Sequence, residues 1–362
     1  MREPFPPCVV DVKSVGLKSL SRVFDRCFDF PRAAMFFLLL VQCGFHNWSL
    51  EGGCDHTFNS SDRLFHYIRR MDVDIVACHC NRLLGYAFKV FWMDRRHHHP
   101  VFLAIDTTDL ACKANNPKYR LNSVEKRGLK VRKLEVVRFA TLSLVAKNFR
   151  LTLAVLPVKK GDKNETIVEK LIAEIPTGVK VRCILMDKGF YGAGVMNTVQ
   201  GLGHHYIVPV KHYKDMDLEY HIAMLTGVWQ FKHTMYEGKS NMCTFNVHLE
   251  DSGIEYYIGF ATNLEMNNKD FDTLVQAYRY RCNIEEGYKE SLEYKIKTST
   301  RTHGYRVLIF TISHLLMNLQ NTIKKQSHAL ITVIHMKETV FPSLLTQRHG
   351  TRRMGKRFIL VY

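Results

Sequence analysis

The stretch that most constrains the fold is residues 101–109, which read V-F-L-A-I-D-T-T-D. Consecutive apolar residues lead directly into Asp106, and a second acid, Asp109, follows three positions later. A short uninterrupted apolar run is typical of a strand buried on both faces, at the centre of a mixed or parallel sheet. A lone buried carboxylate is unfavourable unless it is paired or binds a metal. The run therefore predicts a central strand that ends at a functional carboxylate, Asp106.

Two later stretches carry acids that could join Asp106. Residues 181–187 (V-R-C-I-L-M-D) form another apolar run that ends in Asp187, and residues 270–295 form a polar, helix-like stretch that contains Glu285. Phosphodiester cleavage needs an activated nucleophile and a stabilised leaving oxygen, which two divalent ions about 4 Å apart provide when carboxylates hold them. Mg²⁺ prefers hard oxygen ligands. We therefore predict that three catalytic residues bind two Mg²⁺ ions, for which Mn²⁺ can substitute: Asp106, Asp187 and Glu285.

Helical periodicity selects Glu285 from the acids of its stretch. Steps of three and four residues place four side chains on one face of a single predicted helix: Tyr278, Arg281, Glu285 and Lys289. Cations one turn before and one turn after Glu285 favour its ionised form, which a metal ligand requires. Routine surface ion pairs are the alternative, and we accept that alternative for Glu286, Glu290 and Glu293.

The charge balance of the chain indicates a polyanionic partner. Lys and Arg number 51 against 34 Asp and Glu, a net charge of +17 over 362 residues. The basic residues do not line one amphipathic helix, so nucleic acid is favoured over a membrane surface. They are dense in the connector at 113–133, where we predict phosphate contacts, with a solvated charged loop as the alternative. The DNA-binding residues predicted in this connector are Lys126, Arg127 and Lys130.

The longest apolar run and the cysteines favour a cytoplasmic protein. Residues 33–41 are too few to span a bilayer, which requires about 20 apolar residues, so we predict a buried helix and no membrane partner. We expect Gly44 to end this helix. The 10 cysteines fall at irregular positions without paired C-x-x-C spacing, which favours reduced thiols over zinc ligands or disulfides.

The order of patterns predicts an α/β fold with a mixed sheet and flanking helices. Helical patterns come first, strands and helices then alternate, and three strand-like stretches form a β insertion. DNA binding is one interpretation of the helical N-terminal part, and plain support of the core is the other. The predicted domains are a helical N-terminal domain (1–98), the first part of a catalytic core (99–212), the β insertion (213–267), the C-terminal helices of the core (268–325) and a basic tail (326–362).

Together these motifs resemble the insertion-sequence DDE transposases whose helix carries a Y-x-x-R-x-x-x-E signature. Tyr278, Arg281 and Glu285 match that spacing, and D-K-G-F-Y-G, which begins at Asp187, is similar to the second-aspartate motif of this family. The β insertion between the second aspartate and the glutamate is also a family trait. The resemblance implies an RNase H-like catalytic core.

The resemblance also implies a reaction and its partners. Such a transposase binds terminal inverted repeats and target DNA as duplexes, cleaves strands at the element ends with two Mg²⁺ ions, and joins the freed 3′-hydroxyl to the target. It acts as a homodimer in a synaptic complex. The archaeal and bacterial branch that the chain resembles would place it at the nucleoid of a prokaryotic cell.

The resemblance assigns further DNA contacts. Tyr278 and Arg281 would hold phosphates. The lysine of the signature falls on Leu292 here, so Lys289 or Lys295 would take its place.

A tryptophan in the β insertion of this family can receive a flipped base. Trp229 is the tryptophan of this insertion, and core packing is its alternative role.

Two other functions remain open from the sequence. A degenerate copy would bind DNA without cleaving it. A metal-dependent nuclease unrelated to transposition would cleave without preference for element ends and without strand joining.

Overall fold

The computed structural model describes residues 8–28, 30–55, 61–91, 99–111, 116–127, 130–211, 217–227, 230–237, 241–251, 257–265, 268–327 and 336–337. Some side chains within these ranges are not described, including those of residues 124–127, 130–132 and 282–286.

Helices and strands are numbered along the chain. The helices are α1 (Cys8–Phe28), α2 (Ala33–His46), α3 (Leu50–Asp55), α4 (Ser61–Arg70), α5 (Val73–Phe91), α6 (Asn164–Ala173), α7 (Ala193–Gly201), α8 (Asp217–Thr226), α9 (Asn268–Arg279), α10 (Cys282–Leu292) and α11 (His303–Ser327). The strands are β1 (Val101–Ala111), β2 (Leu121–Arg127), β3 (Lys130–Ala146), β4 (Phe149–Pro157), β5 (Val181–Met186), β6 (Tyr206–Pro209), β7 (Gln230–Glu237), β8 (Asn241–Asp251) and β9 (Tyr257–Thr262).

The chain divides into two compact units. The first comprises residues 1–97, 112–117 and 287–362, and the second comprises residues 98–111 and 118–286. In the first unit, α11 packs against α5 and α2, and α1 packs against the same two helices. Aromatic side chains fill this helical core: Phe24 stacks on Phe28 with ring centroids 4.3 Å apart and contacts Phe37 at 5.3 Å.

The apolar run at 33–41 forms the buried helix α2, as predicted. No single described helix is long and apolar enough to cross a membrane. By length and composition alone, one strongly bent pair meets that test, with 119° between Ser19–Phe28 and α2.

The expected helix stop at Gly44 was wrong. The helix α2 continues to His46, and its end is marked by Asn47, which has a left-handed φ of 54° and donates its N–H to the carbonyl of Cys43. Gly44 is a buried residue inside α2, at a position where Leu316 of α11 packs closely against the helix backbone. A Cβ at this position would lie 2.6 Å from Leu316 Cδ1.

The second unit is built on one mixed sheet of nine strands in the order β2-β3-β1-β5-β6-β9-β8-β7, with β4 paired to β3. Strand β1 is antiparallel to β3 and parallel to β5, and β6 is parallel to β5. Strand β9 pairs antiparallel to β6, so the predicted β insertion extends the same sheet.

The five strands β4-β3-β1-β5-β6 form the centre of this sheet. Three antiparallel strands are followed by two that run parallel to β1. This is the RNase H-like arrangement, so the predicted α/β fold class is confirmed. The apolar run at 102–105 is its central strand, because β1 lies between β3 and β5 and its residues 103–105 are fully buried.

Two local predictions were wrong, and the loop alternative for the basic connector holds only in part. The connector at 113–133 is not a loop throughout, since β2 and β3 pair as a hairpin in the register Arg127 to Lys130. Strand β1 does not end at Asp106 but continues five residues further, to Ala111. The single helix at 270–295 is broken, because the Arg281 N–H donates to the carbonyl of Tyr278 at 2.8 Å, an i to i−3 turn that separates α9 from α10.

Candidate active site

The two aspartates meet because their strands are neighbours in register. In the parallel pair β1–β5, Ile105 lies opposite Met186. Asp106 is the next residue of β1, and Asp187 is the first residue after the end of β5. Residues at matching positions of parallel neighbours project to the same face of a sheet. Two acids 81 positions apart in the sequence are therefore delivered to one place.

One guanidinium bridges these two carboxylates. Arg281 Nη1 lies 3.6 Å from Asp106 Oδ2, and Arg281 Nη2 lies 3.5 Å from Asp187 Oδ1. Arg281 occupies the turn between α9 and α10, so the break in the predicted helix brings its side chain to the strand ends.

Tyr278 holds the other edge of this guanidinium. Arg281 Nε donates a hydrogen bond to Tyr278 Oη at 3.1 Å, and the guanidinium carbon lies 5.5 Å from the centroid of the Tyr278 ring. The Tyr278 ring packs edge-on against Phe260 of β9, with centroids 5.1 Å apart. Arg281 is thus fixed by an aromatic contact on one side and by carboxylates on the other.

The three charged groups differ in their exposure to solvent. The side chains of Asp106 and Arg281 are each 10% exposed, whereas that of Asp187 is 45% exposed. The backbone N–H of Thr107 donates a hydrogen bond to Asp106 Oδ1 at 2.8 Å. Burial alone lowers the pKa of Arg281, but Tyr278, Asp187 and Asp106 together outweigh it, so the pKa is raised above its ordinary value. The guanidinium therefore remains charged.

The segment after Asp187 closes its own turn and is tied to two other parts of the second unit. Phe190 N–H donates to the carbonyl of Asp187 at 2.8 Å, which closes a 3₁₀ turn. The side-chain amide of Asn164, at the start of α6, donates to the carbonyl of Gly189 at 3.0 Å. Glu237, the last residue of β7, accepts a hydrogen bond from Gly194 N–H at 3.0 Å, in the first turn of α7. The β insertion therefore contacts the helix that follows the motif with Asp187.

Asp109 has a separate partner. Strand register places it opposite Arg138 of β3, whose Nε and Nη2 donate to its two carboxylate oxygens at 2.7 and 2.9 Å. This hydrogen bond is the main cause that raises the pKa of Arg138. Asp109 therefore forms a cross-strand ion pair with Arg138.

For several other predicted site residues, the structure describes the backbone but not the side chain, or does not describe the residue. Glu285 lies in the first turn of α10, one turn after Arg281, and its side chain is outside the described residues. The same holds for the side chains of three residues on the β2–β3 hairpin: Lys126, Arg127 and Lys130. Trp229 is also outside the described residues.

The two candidates for the signature lysine belong to the first unit. Lys289 lies in α10 and Lys295 follows it, and both are exposed. Leu292, where the signature lysine falls, is the last residue of α10 and is 49% exposed.

The donors that converge here have the chemistry that Mg²⁺ prefers, namely carboxylate oxygens. Across the described residues, no group of three or more His, Cys, Asp or Glu side chains is arranged to hold a metal ion. Asp106 and Asp187 could supply two oxygen-bearing ligands, and Glu285 is the candidate for a third.

Sequence reasoning missed two lysines near this end of the sheet, Lys160 and Lys163, the first of which contacts Lys118 of the predicted basic connector. Lys160 N–H donates to the carbonyl of Lys118, which joins the segment after β4 to the one before β2. Lys163 precedes Asn164, the residue bonded to Gly189. The signal was K-K-G-D-K at 159–163, a basic turn directly after a buried strand.

A family model described as a transposase DDE domain matches residues 98–317, more than half of the chain. The chain belongs to the transposase DDE domain family. The resemblance to DDE transposases that the sequence motifs indicated is therefore confirmed. Membership of this family supports a nucleic-acid-processing enzyme. The match covers β1, β5 and the α9–α10 segment, which carry the two aspartates and Arg281. A search of curated proteins found no match.

Proposed function

We propose that this protein is a DDE transposase that cleaves DNA strands at the ends of its element and transfers the freed 3′-hydroxyl to target DNA. The observation that carries the proposal is that one guanidinium, Arg281, reaches both Asp106 on β1 and Asp187 directly after the neighbouring β5, at 3.6 and 3.5 Å. Packing does not explain two carboxylates held side by side, one of them 10% exposed, at the centre of a sheet. Their position within a transposase family domain supports a role in phosphodiester chemistry.

Asp106, Asp187 and Glu285 would hold two Mg²⁺ ions, with Mn²⁺ able to substitute. Such ions lower the pKa of bound water and stabilise charge on the leaving oxygen. Asp106 is buried and held by Thr107 N–H, so it provides a fixed oxygen. Asp187 is 45% exposed and faces solvent, from which a DNA strand can approach.

Duplex DNA is the proposed partner, as terminal inverted repeats and as target. Lys118, Lys160 and Lys163 are exposed and could contact backbone phosphates beside the site. Tyr278, Arg281, Lys289, Lys295, Trp229 and the basic residues of the β2–β3 hairpin stay predicted contacts. We also propose a homodimer in the synaptic complex and a location at the prokaryotic nucleoid.

The test uses the purified full chain and duplexes that contain the element ends. We expect strand nicking with Mg²⁺ or Mn²⁺ in the wild type and none in Asp106→Asn or Asp187→Asn. Both variants should bind the same duplex in a fluorescence anisotropy assay, since binding depends mainly on phosphate contacts. Asp109→Asn is the matched control, because this neighbouring acid is paired with Arg138.

The outcomes separate the other candidate functions. Binding to end duplexes without nicking by the wild type would identify an inactive DNA-binding relative. Nicking without preference for end sequences, and without joining to a target, would identify a nuclease unrelated to transposition.

A further inference from the structure

We propose that Arg281 is a built-in counter-cation for the Asp106–Asp187 pair and competes with divalent cations for the same carboxylates. The inference rests on the proposed function, because it assumes that these aspartates are metal ligands. It adds that the affinity for metal is limited by a side chain of the protein itself.

The first support is the geometry of the bridge. Two different nitrogens of one guanidinium reach carboxylates on two different strands, at 3.6 and 3.5 Å. A planar fork of donors suits this task, because it can contact two acceptors at once. A lysine ammonium, a single point charge, lacks this geometry.

The second support is the burial of the charges. The side chains of Arg281 and Asp106 are each only 10% exposed, and an unpaired buried charge is strongly unfavourable. The opposite position on β3 is Thr141, which is neutral. Arg281 supplies a positive charge that offsets Asp106.

The third support is that Arg281 is anchored independently of the aspartates. Tyr278 Oη accepts its Nε–H at 3.1 Å, and the Tyr278 carbonyl accepts its backbone N–H at 2.8 Å. Phe260 packs on the same tyrosine ring. These contacts hold the guanidinium close to the carboxylates.

A divalent cation that binds these carboxylates would lie within a few ångströms of a fixed positive charge. Two carboxylates and one guanidinium leave a net charge of about −1, instead of −2, to attract the ion. Arg281 must either move or lower the affinity for metal. Its removal should therefore tighten metal binding.

The experiment measures metal binding by the full chain without DNA. Mg²⁺ affinity is measured by isothermal titration calorimetry, and Mn²⁺ affinity by electron paramagnetic resonance. The variants are Arg281→Gln, which removes the charge, and Arg281→Lys, which keeps the charge but not the fork. Arg138→Gln is the matched control, because it removes the partner of the other β1 acid, Asp109.

We expect Arg281→Gln to bind Mg²⁺ and Mn²⁺ roughly tenfold more tightly than the wild type, and to have a lower unfolding temperature in EDTA. Arg281→Lys should give a smaller increase in affinity. Arg138→Gln should leave both affinities unchanged.

Equal or weaker metal binding by Arg281→Gln would overturn the proposal. If that variant does not fold, equal or weaker binding by Arg281→Lys would overturn it in the same way. Asp106→Asn and Asp187→Asn separate this failure from that of the proposed function. If they weaken binding while Arg281 variants do not tighten it, the metal site stands and only the competition is wrong. If they bind metal as the wild type does, the metal assignment itself is wrong, and the competition with it.

Discussion

At the scale of single residues, two aspartates of β1 that lie three positions apart have different roles because they face different partners. The register with β3 places Asp109 opposite Arg138 and Asp106 opposite Thr141. Asp109 thus finds a cation on the neighbouring strand, with bonds of 2.7 and 2.9 Å. Asp106 lies opposite the neutral Thr141, and Arg281 from the α9–α10 turn supplies a positive charge beside it.

We expect Asp109→Asn to reduce the free energy of unfolding by about 1 kcal/mol, a modest loss because the ion pair is partly exposed. Nicking of end duplexes should remain. Urea unfolding and the nicking assay measure the two effects. Loss of nicking in this variant, with the fold intact, would show that Asp109 belongs to the site.

At the scale of elements, the close packing of α2 in the first unit depends on a glycine. A Cβ at Gly44 would lie 2.6 Å from Leu316 Cδ1 of α11 and 3.2 Å from the backbone carbonyl of Tyr294. Leu316 is 1% exposed, so it has little room to move. Gly85 of α5 is the opposite case. Apart from its chain neighbours and the nearby backbone of its own helix, no atom of the described residues lies within 4 Å of a Cβ there.

The two glycines should therefore respond in opposite directions to the same substitution. Gly44→Ala should lower the free energy of unfolding by about 1–3 kcal/mol through overpacking. Gly85→Ala should raise it by up to about 1 kcal/mol, because alanine favours helix in an uncrowded position. Thermal and urea unfolding provide the comparison. A neutral or stabilising Gly44→Ala would show that α2 and α11 can separate without cost.

At the scale of the whole molecule, each unit buries a histidine that must stay neutral. His248 of β8 is 1% exposed and His303 of α11 is 3% exposed. Burial lowers the pKa of His248 to about 4. Burial, together with the charge of Arg306, lowers the pKa of His303 to about 4. The ordinary value in an unfolded chain is about 6.5, so the unfolded state binds more protons between these limits.

This difference predicts acid destabilisation with a definite window. The stability that each neutral histidine provides is complete above about pH 6.5 and is lost as the pH falls towards 4, by about 2 kcal/mol at pH 5. His248→Gln should reduce the loss between pH 7 and pH 5 by about this amount. The exposed His205→Gln is the control. Equal pH dependence of His248→Gln and the wild type, measured by urea unfolding, would contradict the prediction.

Sequence patterns predicted elements well where burial is continuous and poorly where a single contact decides. The runs that end at Asp106 and Asp187 became β1 and β5, because uninterrupted apolar stretches have few alternatives to a buried strand. Periodicity alone predicted a single helix over residues 270–295. The turn at Arg281 depends instead on contacts with residues far away in the sequence, Asp106 and Asp187.

Local composition was also misleading in the basic connector, where a strand is rich in charged residues. The basic connector appeared polar enough for a loop, yet β2 pairs with β3 along it. Helix α8 was missed for a similar reason, since strand-like stretches dominated the insertion around it.

The sequence by itself determined the class of fold, the two strand-borne acids and the transposase family, because these depend on local patterns and motif order. The tertiary structure decided which carboxylates meet and what holds them. Strand register set Asp106 beside Asp187 and sent Asp109 to Arg138. A break between two helices directed Arg281 to the pair. Register and helix breaks are set by contacts between distant segments, which no local pattern in the chain contains.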